Sequence, residues 1–214
     1  MPFDFNVLFE AMPAILFALT FHEYAHAWAA WRLGDPTAQK MGRLSLNPLV
    51  HLDPAGTIML VITVMSGFGL GWAKPVPVDP TYLRNPRKDM VWIALAGPMA
   101  NLVLAFLLGG ILTYFGSDLG ETLRKMVRYG LVINLALAFF NLLPIPPLDG
   151  SRVLKGVLPI AQAQRFGQLE MYGPVMLIGL IVVDQILRLG IIRIWIGLPM
   201  QISLELMNKL FSSL

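Results

Sequence analysis

Residues 17–31, FALTFHEYAHAWAAW, place two histidines and a glutamate inside an apolar run that extends from residue 7 to residue 31. In an α-helix, His22 and His26 lie on one face and one turn apart, because they are four residues apart. Ionisable groups inside an apolar helix are costly unless they find a partner. The HExxH pattern predicts that this partner is a metal ion held by the two imidazoles, with Glu23 as the general base.

The rest of the sequence has the composition of a membrane protein. Of its 214 residues, 56% are hydrophobic and 14% are charged, whereas about 25% of the residues in soluble domains are charged. A chain of this size cannot bury all of its apolar segments in one aqueous core. We therefore predict an all-α polytopic membrane protein with four to six transmembrane helices. The predicted spans are residues 7–31, 91–115, 127–147 and 174–196, and residues 199–214 are predicted to form an amphipathic helix at the membrane surface.

Residues 55–78 form the least regular apolar segment. Gly67, Gly69 and Gly71 interrupt it, and the proline-rich stretch KPVPVDP follows. The helix proper would be about a dozen residues long, which is too short to span a bilayer. We predict a re-entrant element that ends in an edge β-strand. A re-entrant segment places ten of the sixteen Lys and Arg residues on one side and a spanning segment only nine, so positive-inside bias favours re-entry, an external N-terminus and a site open to the cytoplasm.

Composition and charge also exclude several classes of protein. The chain has no cysteine, so disulfides and thiolate metal sites are excluded. The net charge is +3, but the basic residues are scattered between apolar segments. They suit the headgroups of a lipid bilayer, and no basic stripe predicts a nucleic-acid partner. No feature predicts the oligomeric state.

A catalytic zinc site takes a third protein ligand, and Asp149 in NLLPIPPLDGSRV is the strongest candidate for it. The three prolines before Asp149 prevent a regular helix, and an unwound segment can bring a carboxylate from a second helix. By spacing alone, an ordinary turn aspartate before Gly150 is nearly as good an interpretation. His51 and Asp53 are weaker candidates, and His51 is also expected to line the mouth of the site or to bond to the backbone.

Three motifs carry a resemblance to a known family. FHEYAHAWAA, AGPMANLVLA and NLLPIPPLDGSRV occur in this order, each in an apolar helix. Together they resemble the site-2 protease family of intramembrane zinc metalloproteases, which is related to peptidase family M50. The resemblance covers about residues 10–160 and is closest to the small members that lack a PDZ domain.

The resemblance implies a zinc metalloendopeptidase of a multi-pass cell membrane, with one Zn²⁺ per chain and transmembrane proteins as substrates. It implies His22, His26 and Asp149 as the zinc ligands and Glu23 as the catalytic acid and base.

Further residues are implied to meet the substrate. Asn141 matches a family asparagine that engages the substrate backbone. Asn101 is a weaker candidate, for which a hydrogen bond between helices is the alternative. The strand predicted at 71–78 matches a family element that pairs with the substrate.

The resemblance also suggests a division of the chain into a catalytic core, 1–160, and a C-terminal transmembrane and amphipathic segment, 161–214. Two alternative functions are a metal transporter and an inactive zinc-binding protein that acts as a sensor or chaperone. Transport is less favoured because it requires several aligned polar residues across the bilayer, and apart from Asp184 the other spans lack them. The presence of Glu23 and Asp149 argues against an inactive protein.

Overall fold

The computed structural model describes residues 5–66 and 71–213. The predicted helix break at Gly67 and Gly69 lies outside these residues. Within them the chain is helical, and no β-strand is formed. Nine α-helices occur in this part of the chain: α1 (Phe5–Arg32), α2 (Thr37–Lys40), α3 (Pro54–Ser66), α4 (Pro86–Phe115), α5 (Glu121–Asn141), α6 (Asp149–Val157), α7 (Ile160–Gln168), α8 (Gly173–Leu187) and α9 (Leu198–Ser212).

Helices α1, α4 and α5 contact one another and form the centre of the molecule. The 28 residues of α1 and the 30 residues of α4 give lengths of about 42 and 45 Å. Both lengths exceed the hydrocarbon core of a bilayer, which is about 30 Å thick. Small residues line the contacts and let the backbones approach closely. Buried small residues of these three helices include Ala18, Ala27, Ala30, Ala94, Gly97, Ala105 and Ala138.

Two helical stretches of the described residues are long and apolar enough to cross a membrane, Pro86–Phe115 and Ile160–Leu187. The second comprises α7, a 3₁₀ turn and α8. Large apolar side chains such as Trp92 and Leu107 of α4 are exposed, as expected for a surface that faces lipid. These helices and the exposed apolar surface indicate a membrane protein, and the count of four to six spans stays a prediction.

The predicted fourth span, 174–196, is wrong in its second half. Helix α8 ends at Leu187, and Arg188 adopts a left-handed conformation with φ 51°. The Asp184 carboxylate accepts a hydrogen bond of 2.7 Å from the N–H of Ile191, where the next helical segment begins. The break arises because the left-handed turn ends α8 and the Asp184 side chain caps the following segment.

The predicted edge strand at 71–78 is also wrong. The described part of this segment forms one isolated bridge, between Leu52 and Ala73. Pro75 and Pro77 lack the N–H groups that a longer ladder could use. Helix α3, by contrast, has 13 residues, close to the predicted length of the apolar helix before the strand. Its re-entrant placement stays a prediction.

The predicted C-terminal helix is present as α9, and it packs against α4 and α5. The Tyr114 hydroxyl of α4 donates a 3.2 Å hydrogen bond to the carbonyl of Phe211. Met207 and Phe211 face the bundle, while Leu206 and Leu210 are exposed. The four residues lie on one continuous face of the helix, so one edge of the predicted apolar side packs on the bundle and the other edge is exposed. The placement of α9 at the membrane surface stays a prediction. The boundary predicted at residue 160 stays a prediction.

Candidate metal centre

Three ligand atoms converge where α1 meets the start of α6. His22 Nε2 and His26 Nε2 are 3.0 Å apart, and each is 3.1 Å from Asp149 Oδ2. In a tetrahedral zinc site with ligands at about 2.0–2.1 Å, neighbouring ligand atoms lie about 3.3 Å apart. The triangle therefore has nearly the size of one face of such a tetrahedron and leaves a fourth position for water.

Each imidazole is oriented by a hydrogen bond from its other nitrogen. His26 Nδ1 lies 2.7 Å from the carbonyl oxygen of Ile93 in α4. A carbonyl only accepts hydrogen bonds, so Nδ1 carries the proton and Nε2 presents a lone pair. Hydrogen bonds of this kind fix the tautomer and ring orientation of metal-binding histidines.

The proton position of His22 follows from a chain of buried amides. Asn101 Nδ2 donates to the carbonyl of Ala18 at 3.1 Å, which identifies the other amide atom, Oδ1, as the one 2.6 Å from His22 Nδ1. Oδ1 only accepts, so His22 Nδ1 is the donor. Asn101 Nδ2 also donates to Asn134 Oδ1 at 2.7 Å, and Asn134 Nδ2 donates to the carbonyl of Gly130. These hydrogen-bonded amides connect α1, α4 and α5 behind His22.

This arrangement fits a divalent cation. Both histidines direct lone pairs at each other and at a carboxylate oxygen, and three electron-rich atoms 3.0–3.1 Å apart repel unless a positive charge lies among them. Two imidazoles and one carboxylate are ligands that catalytic zinc accepts. Gly97 of α4 leaves room for them, because a Cβ at this position would lie 2.6 Å from His22 Cε1 and would also meet His26 Nε2.

Asp149 reaches the histidines because the chain unwinds before it. Helix α5 ends at Asn141, residues 142–148 are non-helical, and α6 begins at Asp149. A Cβ on Gly150 would collide with the carbonyl of Leu142, so the glycine lets α6 start against the end of α5. The predicted unwound segment is confirmed, although the helix predicted to reach residue 147 stops at Asn141.

Glu23 lies beside the histidines on α1, and its half-buried carboxylate makes no hydrogen bond with any described residue. Its charge acts on Arg43. Burial lowers the pKa of the Arg43 guanidinium, and the negative charge of Glu23 offsets part of that change. A carboxylate that is not bonded to protein is available to exchange protons with a water at the site.

The other predicted residues are not members of the metal triangle. Asn141 donates to the carbonyl of Leu137 at 3.0 Å, which leaves its amide oxygen without a partner in the described residues. His51 is buried and bonds through Nε2 to the carbonyl of Ser45 at 2.7 Å. The Asp53 side chain accepts from the N–H of Gly56 at 2.8 Å and caps α3. His51 and Asp53 are therefore not brought into the group of metal-binding residues.

Asn101 is completely buried, and both of its amide atoms bond to protein groups. These contacts match the alternative of a bond between helices, and the contact of Asn101 with substrate stays a prediction. Asn134 was missed by the sequence analysis. Its signal was an amide in the middle of the apolar run LVINLALAFF, since a buried amide in an apolar helix needs a partner.

A helix bearing HExxH, with an aspartate from a second helix completing the triangle, is the arrangement typical of zinc metallopeptidases. Residues 10–128 and 117–183 match the model of Peptidase family M50. The chain therefore belongs to this family, which includes the site-2 proteases.

The chain is also similar to curated proteins. It is 39% identical over 166 residues to "Putative zinc metalloprotease YwhC" of Bacillus subtilis, a match that covers 74% of each chain. It is 34% identical over 140 residues to "Putative zinc metalloprotease Rip2" of Mycolicibacterium smegmatis, which covers 65% of this chain and 54% of that protein. No solved structure matches the chain.

Proposed function

We propose that this protein is an intramembrane zinc metalloprotease that hydrolyses peptide bonds of transmembrane substrate proteins. The observation that carries the proposal is the convergence of His22 Nε2, His26 Nε2 and Asp149 Oδ2 within 3.0–3.1 Å. The triangle lies among apolar helices, and Glu23 stands next to it on α1. Membership in family M50 supports the same activity.

The metal would be held by His22, His26 and Asp149. A zinc ion bound there supplies a Lewis acid that activates water and polarises a peptide carbonyl. Glu23 takes a proton from the attacking water and later delivers it to the leaving amine. The hydrogen bonds from His22 to Asn101 and from His26 to Ile93 keep both Nε2 lone pairs directed at the same point.

The substrate must be extended at the bond that is cleaved. A helix hides its carbonyls in hydrogen bonds four residues apart, so a transmembrane substrate unwinds before attack. Pro75 and Pro77 have no N–H to donate, so within 71–78 it is Ala73 whose backbone groups bind the unwound chain. Asn141, whose amide oxygen is free of described partners, binds the substrate backbone near the metal.

The proposed setting is a multi-pass protein of the cell membrane. Its partners are a transmembrane protein substrate and the lipid bilayer. The N-terminus lies outside and the site opens toward the cytoplasm, as the distribution of Lys and Arg favours. Water reaches the site from that side.

The test is cleavage of a transmembrane reporter by the purified protein in liposomes, with zinc content measured on the same samples. Glu23→Gln removes the base and keeps the side chain's shape, so we expect full zinc content and a loss of cleavage of about 10²–10⁴-fold. Glu170→Gln, at an exposed carboxylate paired with Lys155, is the matched control and should cleave like wild type. Undiminished cleavage by Glu23→Gln would contradict the proposal.

The inactive sensor or chaperone remains the second interpretation from the sequence. It predicts zinc binding without cleavage by the wild type. The same experiment therefore separates it from the protease.

A further inference from the structure

Two buried charged residues on either side of α2 hold the segment 74–79, which follows α3 in the sequence. Asp35 has no exposed surface, and Arg43 is 5% exposed. Arg43 Nη2 donates to the carbonyl of Lys74. Asp35 Oδ2 accepts a 2.8 Å hydrogen bond from the N–H of Asp79. The segment 74–79 is thus hydrogen-bonded at both ends to side chains that flank α2.

The middle of this segment packs against the helix that carries the histidines. Val76 is buried in a cluster with Ala27 of α1 and Ala38 of α2. Ala27 directly follows His26 in the sequence. The hydrogen bonds at Lys74 and Asp79 therefore flank Val76, which packs against α1 next to His26.

The hydrogen bonds of Lys74 also determine which backbone edge of the segment has no partner. Lys74 donates its N–H to the carbonyl of His51 at 2.8 Å, and its own carbonyl accepts from Arg43. In extended backbone, the peptide groups of neighbouring residues point to opposite edges. Ala73 therefore presents its N–H and C=O away from His51, and neither group has a partner among the described residues.

Burying Asp35 and Arg43 costs desolvation free energy, since both charges are taken out of water. The two residues form no ion pair with any described residue, and the Nε of Arg43 is buried without a partner. Charge-assisted hydrogen bonds to backbone are, however, stronger and shorter than neutral ones. Such bonds suit a segment whose position must be fixed.

We propose that Arg43 and Asp35 are positioning residues for substrate: they fix the segment 74–79 so that the free edge at Ala73 can pair with an unwound substrate chain. This inference rests on the proposed protease function. Neither residue touches the metal triangle, and their effect should appear in substrate binding.

The test is the steady-state kinetics of Arg43→Met and Arg43→Lys on the transmembrane reporter. Loss of a charged hydrogen bond predicts that Arg43→Met raises KM by about tenfold or more. Because the Arg43 charge also acts on Glu23, kcat is compared in Asp35→Ala, where it should change less than about threefold. Arg43→Lys keeps the charge and a hydrogen-bond donor, so its KM should lie between that of wild type and that of Arg43→Met. Zinc content should equal that of wild type in both variants. A lower kcat at unchanged KM, or a loss of zinc, would overturn the inference.

A second pair of variants guards against a folding defect at Arg43. The Asp35 carboxylate accepts from the N–H groups of both Thr37 and Asp79. Asp35→Ala removes both acceptors and should raise KM, whereas Asp35→Asn keeps one acceptor oxygen and should raise KM less. Hydrogen exchange gives a readout that does not depend on activity. The hydrogen-bonded amides of Lys74 and Asp79 should exchange faster in Arg43→Met and Asp35→Ala, while α1 and α4 stay unchanged. Unchanged exchange in 74–79, or faster exchange throughout the chain, would contradict a positioning role.

The two proposals fail in different ways. A wild type that binds zinc but cleaves nothing overturns the protease function and this inference with it. A wild type that cleaves, with an unchanged KM in Arg43→Met and Asp35→Ala, overturns this inference alone.

Discussion

Asp149 and Asp184 are both buried aspartates next to breaks in apolar helices, but they serve different purposes. Asp149 begins α6 and directs Oδ2 at two imidazole nitrogens, 3.1 Å from each. Asp184 lies near the end of α8 and directs Oδ1 at the N–H of Ile191, 2.7 Å away. The Asp149 carboxylate faces imidazole lone pairs, so a cation is needed between them. The Asp184 carboxylate faces an N–H donor, which already satisfies its hydrogen-bonding requirement.

The difference shows that burial of an acid within an apolar helix does not by itself define a site. What matters is whether the atoms facing the carboxylate are donors or acceptors. Donors complete a cap, which needs nothing more. Converging acceptors leave a place for a positive charge, and only the Asp149 region has this property among the described residues.

The largest expected effect is on zinc binding when each aspartate is replaced by alanine. Asp149→Ala removes a direct ligand, so zinc affinity should fall by more than about 100-fold, beyond the 10–100-fold range of outer partners. Asp184→Ala should bind zinc as wild type does. Competition with a chelator of known affinity measures both. Equal losses of zinc affinity in Asp149→Ala and Asp184→Ala would show that the two aspartates do not differ in their relation to the metal.

The next effect concerns the amide chain behind His22. Asn134→Leu removes the acceptor for Asn101 and loosens the orientation of His22, so zinc affinity should fall by about 10–100-fold. Asn141→Leu changes an asparagine of the same helix that does not touch this chain, and it should keep wild-type affinity. The inference about Asn134 is wrong if both variants bind zinc equally well.

A methyl group at Gly97 should have a similar or smaller effect. A Cβ there enters the space between His22 and His26, so Gly97→Ala should destabilise the zinc-bound protein by about 1–3 kcal/mol. Gly179→Ala, where a Cβ meets nothing within 4 Å, is the matched control. Thermal unfolding with zinc present measures both, and an unchanged midpoint for Gly97→Ala would show that the histidines are not packed against α4 as described.

The smallest effect is expected at Asp184. Removing a helix cap costs about 1 kcal/mol, so Asp184→Ala should lower the free energy of unfolding by that amount. Asp184→Asn keeps an acceptor for Ile191 and should lose less. Denaturant unfolding in detergent gives the values. A loss of zinc in Asp184→Ala would indicate that this carboxylate belongs to the metal centre after all.

Much of the site could be predicted because its signals are local. The spacing of His22 and His26 defines a helix face, and the prolines before Asp149 predict the unwound segment that brings its carboxylate to them. The length of α3 followed from the glycines and prolines after it. These patterns depend on a few neighbouring residues, so a sequence displays them directly.

Other features depend on how helices meet, and the sequence does not display this. The role of Asn101 follows from its position opposite His22 and Asn134, which only the packing of α1, α4 and α5 determines. The end of α8 depends on Arg188 adopting a left-handed conformation, which is uncommon for a residue other than glycine. The predicted strand at 71–78 failed because its prolines limit pairing to the single bridge at Ala73.

The most direct test of the metal centre is X-ray absorption at the zinc edge on the purified wild-type protein, with zinc quantified on the same sample. One zinc per chain, coordinated by two imidazole nitrogens and a carboxylate oxygen at about 2.0–2.2 Å, is the expected result. The carboxylate contribution should disappear in Asp149→Ala. A folded wild type that excludes zinc, or a zinc environment unchanged in Asp149→Ala, would contradict the assignment of His22, His26 and Asp149.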